Sequence, residues 1–230
     1  MAQVSDRMKR YSKVRNQMRP GDVIAFGGKG HFSEIIKFAT RSVVSHVGVV
    51  FQVDRSGGKF KNLVMESTSL DGKAGVQINF LSQRVRNYGG EVWWLPLEKQ
   101  YTNMIEKSDE FFEFLRTQVG KEYDMVQAIQ AGVDIFDDLW GISAASVAKE
   151  DFDKFFCSEL VVAGLESAGV FGKLKVNASE VTPIDLCRLK LYGGDRLPGA
   201  GTGYYQVGGD PKLRITRFNT VPFTQLPRTQ

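Results

Sequence analysis

The spacing of apolar positions changes partway along the chain. From Asp22 to Leu97, short runs rich in Val, Ile, Phe and Trp (DVIAF, SHVGVVFQV, FKNLVMES, GVQINF and EVWWLPL) are separated by Gly, Ser, Asp and Asn. Strands joined by turns produce that texture. Between the first two runs, SEIIKFATRS carries Ile35, Ile36 and Ala39 at the spacing of a brief helix, with Ser33 as its N-cap. After Pro96 the period lengthens. TNMIEKSDEFFEFLRTQVG sets Met104, Ile105, Phe111, Phe112, Leu115 and Val119 along one side and ends on Gly120, predicting one helix. DMVQAIQAGVDIFDDLWGI predicts another. CSELVVAGLESAG places Leu160, Val161, Gly164, Leu165 and Ala168 on one face and stops at Gly169. Strands first and helices second predict the α+β class, an antiparallel sheet or small barrel packed against helices.

The two ends differ from this middle. In residues 1–19, Val4, Met8, Tyr11, Val14 and Met18 recur at steps of three and four, while Arg7, Lys9, Arg10, Lys13, Arg15 and Arg19 face one acid, Asp6. A basic amphipathic helix follows. Docked on its own domain, it would hold its charges in solvent; free, it would suit an anionic membrane surface and, less well, nucleic acid. Past Leu191 the chain is Gly- and Pro-rich, and KLRITRF alone has strand character, so residues 192–230 are expected to wrap the domain loosely or to lack order. Residues 20–191 between them form the expected catalytic or binding domain.

Composition narrows the classes. A chain of 230 residues with 42% hydrophobic content can bury one substantial core. The net charge of +4 lies in the N-terminal arm, which carries +5 and leaves the remainder close to neutral. The two cysteines, Cys157 and Cys187, are too few for a disulfide framework and have the wrong number and spacing for a zinc site. The N-terminus lacks a signal-like apolar run, and no stretch of about eighteen apolar residues occurs, which predicts a cytoplasmic protein.

Candidate chemistry centres on FFCSELVVAG. A lone cysteine there is core filling unless something activates it. Cys157 stands where an extended stretch gives way to a helix, and helix N-termini favour the thiolate. A thiolate nucleophile needs a base. His46, in SHVGVV, is mounted on a strand with Gly48 on the same side, which would leave open space beside the ring; the alternative is a satisfied core histidine. The imidazole in turn needs an orienting group. Glu66, at the close of NLVMES, shares a side with Val64 and fits that role, or else it caps the turn at STSLDG.

PGDVIAF, SHVGVV, VMES, GKEYD and FCSELV, in that order from Pro20 to about Gly169, resemble the motifs of circularly permuted papain-like hydrolases of the NlpC type, particularly the YiiX-like group. In that group the histidine strand precedes the cysteine helix. The resemblance implies Cys157 as nucleophile, His46 as general base and then acid, and Glu66 as the residue that orients His46. Tyr123 and Asp124 match its YD pair and Asp22 its GD pair, in structural positions. Ser45, Phe156, Ser158, Tyr123 and His31 are the expected substrate contacts. Phe156 is a departure, because tyrosine often precedes the cysteine in this group, and another donor must replace that hydroxyl. Met125 to Phe155 has the length of a lid or pocket wall. The implied reaction is acyl transfer on an amide or ester of a peptide, isopeptide, cell-wall peptide or lipid, and it requires no metal or organic cofactor.

Other features are weaker. FGGKGHF lacks the spacing of a phosphate-binding loop. Cys187 reads as core, neighbouring Asp137 and Asp138 do not face one another on a helix, and EVWWLPL reads as packing. The rivals to a hydrolase are a lipid- or peptide-binding module on the same fold and a nucleic-acid accessory protein acting through its basic arm.

Overall fold

Alternation along the strands sets the layers of the molecule. The computed structural model of the chain describes residues 2–29, 42–56, 61–70, 72–121, 156–173, 176–178, 181–197 and 203–210, together with Ser33, Lys37 and Thr40. Six strands form one antiparallel sheet: β1 (Val23–Gly27), β2 (His46–Asp54), β3 (Lys61–Leu70), β4 (Lys73–Phe80), β5 (Glu91–Leu95) and β6 (Tyr205–Gly208), in the order β4-β3-β2-β1-β5-β6. The order is open, so the element is a sheet and not a barrel. β1 pairs with β2 through Val23–Val49 and Phe26–His46, and with β5 through Ile24–Trp94.

Both faces are covered, which is why β1 and β5 read as unbroken apolar runs rather than alternating ones. On one face Val23, Ala25, Val47, Val49, Met65, Trp93 and Leu95 pack against α4 (Asp109–Gln118), α5 (Phe156–Ser167) and α6 (Pro183–Arg188). On the other, Ile24, Phe26, Val50, Val64, Val92 and Trp94 pack against α1 (Ala2–Val14) and α2 (Leu81–Asn87). The fold is α+β, with one antiparallel sheet packed between helices.

The N-terminal helix ends at Val14, short of the expected 19, yet Met18 beyond it is fully buried with Tyr11 and Val14. The later part of its apolar side is therefore covered by the domain, while Val4 near its start is exposed. Two of its cations bind backbone oxygens of this same chain: Arg7 reaches Tyr88 and Gly90, and Arg10 reaches Gly209 at 2.7 Å.

The helix expected after Pro96 is two helices, α3 (Lys99–Glu106) and α4. Ser108 restarts the chain by accepting the Phe111 N–H at 3.1 Å, with Asp109 and Glu110 in the first turn. Two short helices were not legible as such. α2 has no side-chain cap, whereas α6 opens on a Thr182–Asp185 capping box with Pro183 in its first turn.

Two described stretches of the C-terminal segment are tied to the domain. Tyr205–Gly208 is a strand paired with β5, and Arg196 grips buried Asp22 with both Nη atoms at 2.8 Å. Asp22 also accepts from Trp94 Nε1 and the N–H groups of Arg19 and Leu97, each at 2.9 Å. That hub confirms a structural use for the Asp of PGD. KLRITRF, DMVQAIQAGVDIFDDLWGI and most of SEIIKFATRS lie outside the described residues. No helix among the described residues is long and apolar enough to cross a membrane.

Candidate active site

Strand β2 begins at His46, whose side chain shares a face with Gly48 and Val50, and β3 offers Val64 and Glu66 to the same face. The result is a buried chain of polar contacts. His46 Nε2 lies 2.8 Å from Glu66 Oε2, and His46 is 3% exposed while Glu66 is not exposed at all. Glu66 sits inside β3, opposite Gln77, and not at the strand end where a turn cap would be. Its pairing to the imidazole removes the capping alternative.

Gly48 contributes differently from the open space expected. A methyl group there would meet Val64 Cγ2 at 2.8 Å and Glu66 Cβ at 3.1 Å. The missing side chain lets β3 bring its carboxylate up to the ring.

Two residues that the sequence did not single out complete the carboxylate's shell. Arg84 of α2 donates from Nε to Glu66 Oε1 at 2.6 Å and from Nη2 to Oε2 at 2.9 Å, and Asn79 Nδ2 reaches Oε1 at 3.0 Å. The Arg84 guanidinium also stacks over Phe26 and Tyr88, 5.1 and 5.4 Å from their centroids, and Phe26 in turn packs 5.2 Å from the His46 ring. A buried carboxylate in a strand demands a cation, and Arg84 sits at i+3 from Leu81 on the buried side of LSQRVRN. That spacing was the available signal.

The sulfur arrives from the opposite layer. Cys157 lies in the first turn of α5, and its Sγ accepts the Val47 N–H at 3.4 Å, one residue along from His46. The sulfur thus reaches β2 one residue along from the imidazole. Nε2 is held by Glu66, and Nδ1 is buried without a hydrogen bond of ordinary geometry. Burial pulls the His46 pKa down, but the charge and hydrogen bonding of Cys157, followed by those of Glu66, overcome it and raise the pKa to about 9. Burial pushes Glu66 upward; the His46 hydrogen bond and the Arg84 charge prevail and lower it to about 2. Cys187, deep in the core on α6, has its thiol pushed up by burial, with the Cys157 charge adding to the effect.

Cys157 is fully buried, as are Ser45 and Ser158. A cleft of about 510 Å³ reaches His46, lined also by Gly28, Lys29, Asn79, Gln83 and Arg84, but Cys157 is not part of its wall. Ser45 Oγ accepts the Gly28 N–H at 3.1 Å and so holds the turn after β1. Phe156 opens α5; its side chain, together with Tyr123, Asp124, His31 and the stretch from Met125 to Phe155, lies outside the described residues. Among the described residues no three His, Cys, Asp or Glu side chains gather as a metal site.

No family model and no curated protein matches the chain. Among solved structures, the chain is similar to one described as the metalloprotein YiiX from Escherichia coli O157:H7, DUF1105. The two are 17% identical, with 68% of this chain and 84% of that chain covered and a TM-score of 0.34. A likeness at that level carries no argument about chemistry, which rests on the geometry above.

Proposed function

We propose that the chain is a cysteine-dependent hydrolase or acyltransferase of papain-like type, with its histidine strand ahead of its cysteine helix. The observation that supports this reading is the His46–Glu66 pair, 2.8 Å apart, with the Cys157 sulfur accepting the N–H of Val47, the next residue along β2. A structural histidine needs one satisfied contact; this one is bonded to an acid that Arg84 holds in place, and it lies in the field of Cys157.

At neutral pH the ring is held protonated, so it enters the reaction as an acid. Cys157 Sγ, its proton already given up to the ring, attacks the carbonyl carbon of an amide or ester. The C–N or C–O bond breaks, the leaving group takes the proton from His46, and a thioester remains. Neutral His46 then removes a proton from water, or from another acceptor, which displaces the thiol. Glu66 stays ionised throughout and stabilises the imidazolium. The substrate is an acyl compound: a peptide or isopeptide amide, a cell-wall peptide, or a lipid ester.

Incubation with an acyl-directed thiol probe, followed by peptide mass mapping, tests the proposal. Label on Cys157, removed by hydroxylamine as a thioester would be and absent in His46→Ala, is the expected result. Label confined to Cys187, or none on the folded protein, contradicts it. The complete burial of Cys157 favours a second reading, a lipid- or peptide-binding module on the same fold. That reading predicts an unreactive thiol and ligand retention unchanged in Cys157→Ser.

A further inference from the structure

The cleft beside His46 has a chemical character that the acyl-transfer reading leaves unused. Lys29 lies on its wall and forms no ion pair among the described residues. Arg84 also lines it; Glu66 occupies Nε and Nη2, which leaves Nη1 without a hydrogen-bond partner among the described residues. The amides of Gln83 and Asn87 are exposed on the same wall and make no hydrogen bond within the described chain. Glycines 28, 89 and 90 and the side chains of Ser33, Thr68, Leu70 and Tyr88 form the rest of the wall. No carboxylate belongs to the described lining, since Glu66 is buried behind the ring and neutralised by Arg84. Cations and uncommitted amides around a hydrated space select an anion with several acceptor oxygens.

Position gives that selectivity a role. The sulfur meets β2 from the α5 side, whereas the cleft opens on the imidazole and Arg84 side. In the acyl-transfer step the acyl part stays on sulfur and the departing part collects the imidazole proton. The space beside the imidazole and away from the sulfur therefore belongs to the departing part.

Resting on the hydrolase reading, we propose that this cleft is the leaving-group subsite and that it takes a leaving amine or alcohol bearing an anionic group, a carboxylate or a phosphate. Sγ–C forms, C–N or C–O breaks, His46 gives its proton to the departing nitrogen or oxygen, and the departing group's anion remains between Lys29 and Arg84 Nη1. A carboxylate source would be an amino acid or short peptide; a phosphate source would be a phosphorylated alcohol such as a lipid headgroup.

The test is binding, read at the ring itself. In His31→Gln, His46 is the sole histidine, and its imidazole resonances can be followed while the full chain is titrated with glycylglycine against glycylglycinamide, and with glycerol phosphate against glycerol. The anionic member of at least one pair should bind about tenfold tighter than its neutral counterpart, and Lys29→Glu should remove the difference. Preference for glycylglycine assigns the carboxylate source, preference for glycerol phosphate assigns the phosphate source, and preference in both assigns an anion site without further selection. Equal binding within both pairs, no binding, or an unchanged preference in Lys29→Glu overturns the proposal. Setting this titration beside the thiol-probe trapping on the wild-type chain separates the two readings. Anion preference without any trapped thioester keeps the anion site and ends the hydrolase reading; a trapped thioester without anion preference ends this inference alone.

Discussion

Arg84 closes a two-pronged ion pair on Glu66, Nε to Oε1 at 2.6 Å and Nη2 to Oε2 at 2.9 Å, inside a layer where the carboxylate has no solvent contact. Removing one partner of such a pair strands the other. Arg84→Gln should destabilise the fold by about 3–5 kcal/mol in urea denaturation near neutral pH, and Arg84→Lys by less, because an ammonium keeps the charge and loses the fork. A loss below about 0.5 kcal/mol would show that Arg84 does not compensate the buried acid.

Stability should vary with pH in a direction fixed by the same network. The His46 pKa is raised from 6.5 to about 9, so its contribution is complete below pH 6.5 and is lost as the pH rises through 9. Glu66, lowered from 4.5 to about 2, contributes above pH 4.5 and loses that contribution as the pH falls through 2. Denaturation of the wild type near pH 6 and near pH 10 should differ by roughly 3 kcal/mol more than in His46→Gln. Parallel profiles for the two proteins would contradict the raised imidazole.

Gly48 sets how closely β3 can carry Glu66 to the ring. Gly48→Ala places a methyl 2.8 Å from Val64 Cγ2 and 3.1 Å from the Met65 carbonyl, and backbone cannot yield as a flexible side chain does. We expect a loss of about 1–3 kcal/mol and a lowered His46 pKa as the carboxylate retreats. Retained stability and an unchanged titration would mean that β3 is not held at contact distance.

Arg196 anchors the C-terminal segment through Asp22. Arg196→Ala should cost about 3–5 kcal/mol by leaving Asp22 buried with its charge unmatched, and should speed amide exchange in Tyr205–Gly208. Exchange in β6 that matches the wild type would separate that strand's stability from the ion pair.

Much of the sheet was legible because Val, Ile, Phe and Trp runs must be buried on both faces once helices cover them. The runs from DVIAF to EVWWLPL fall on β1 to β5 within a few residues. His46 and Glu66 were legible for the opposite reason, as ionisable groups in strands otherwise apolar. Arg84 was not, since a charged residue on a short uncapped helix looks like surface until the buried acid it faces is known. Ser108 was read through because the apolar stripe continues across it, although S-D-E is an N-cap with acids behind it. Tyr205–Gly208 was hidden by its glycines, whose composition says nothing of the sheet edge that pairs them. Burial of Cys157 was beyond any local pattern, being decided by what packs over α5.

Whether the Cys157 sulfur reacts under the control of His46 decides the proposed chemistry. The direct measurement is the site-resolved rate of iodoacetamide alkylation on the folded protein near pH 6. Cys157 should modify far faster than buried Cys187, and His46→Ala should slow it by about a hundredfold. A Cys157 as inert as Cys187, or one whose rate ignores the loss of His46, would contradict the account.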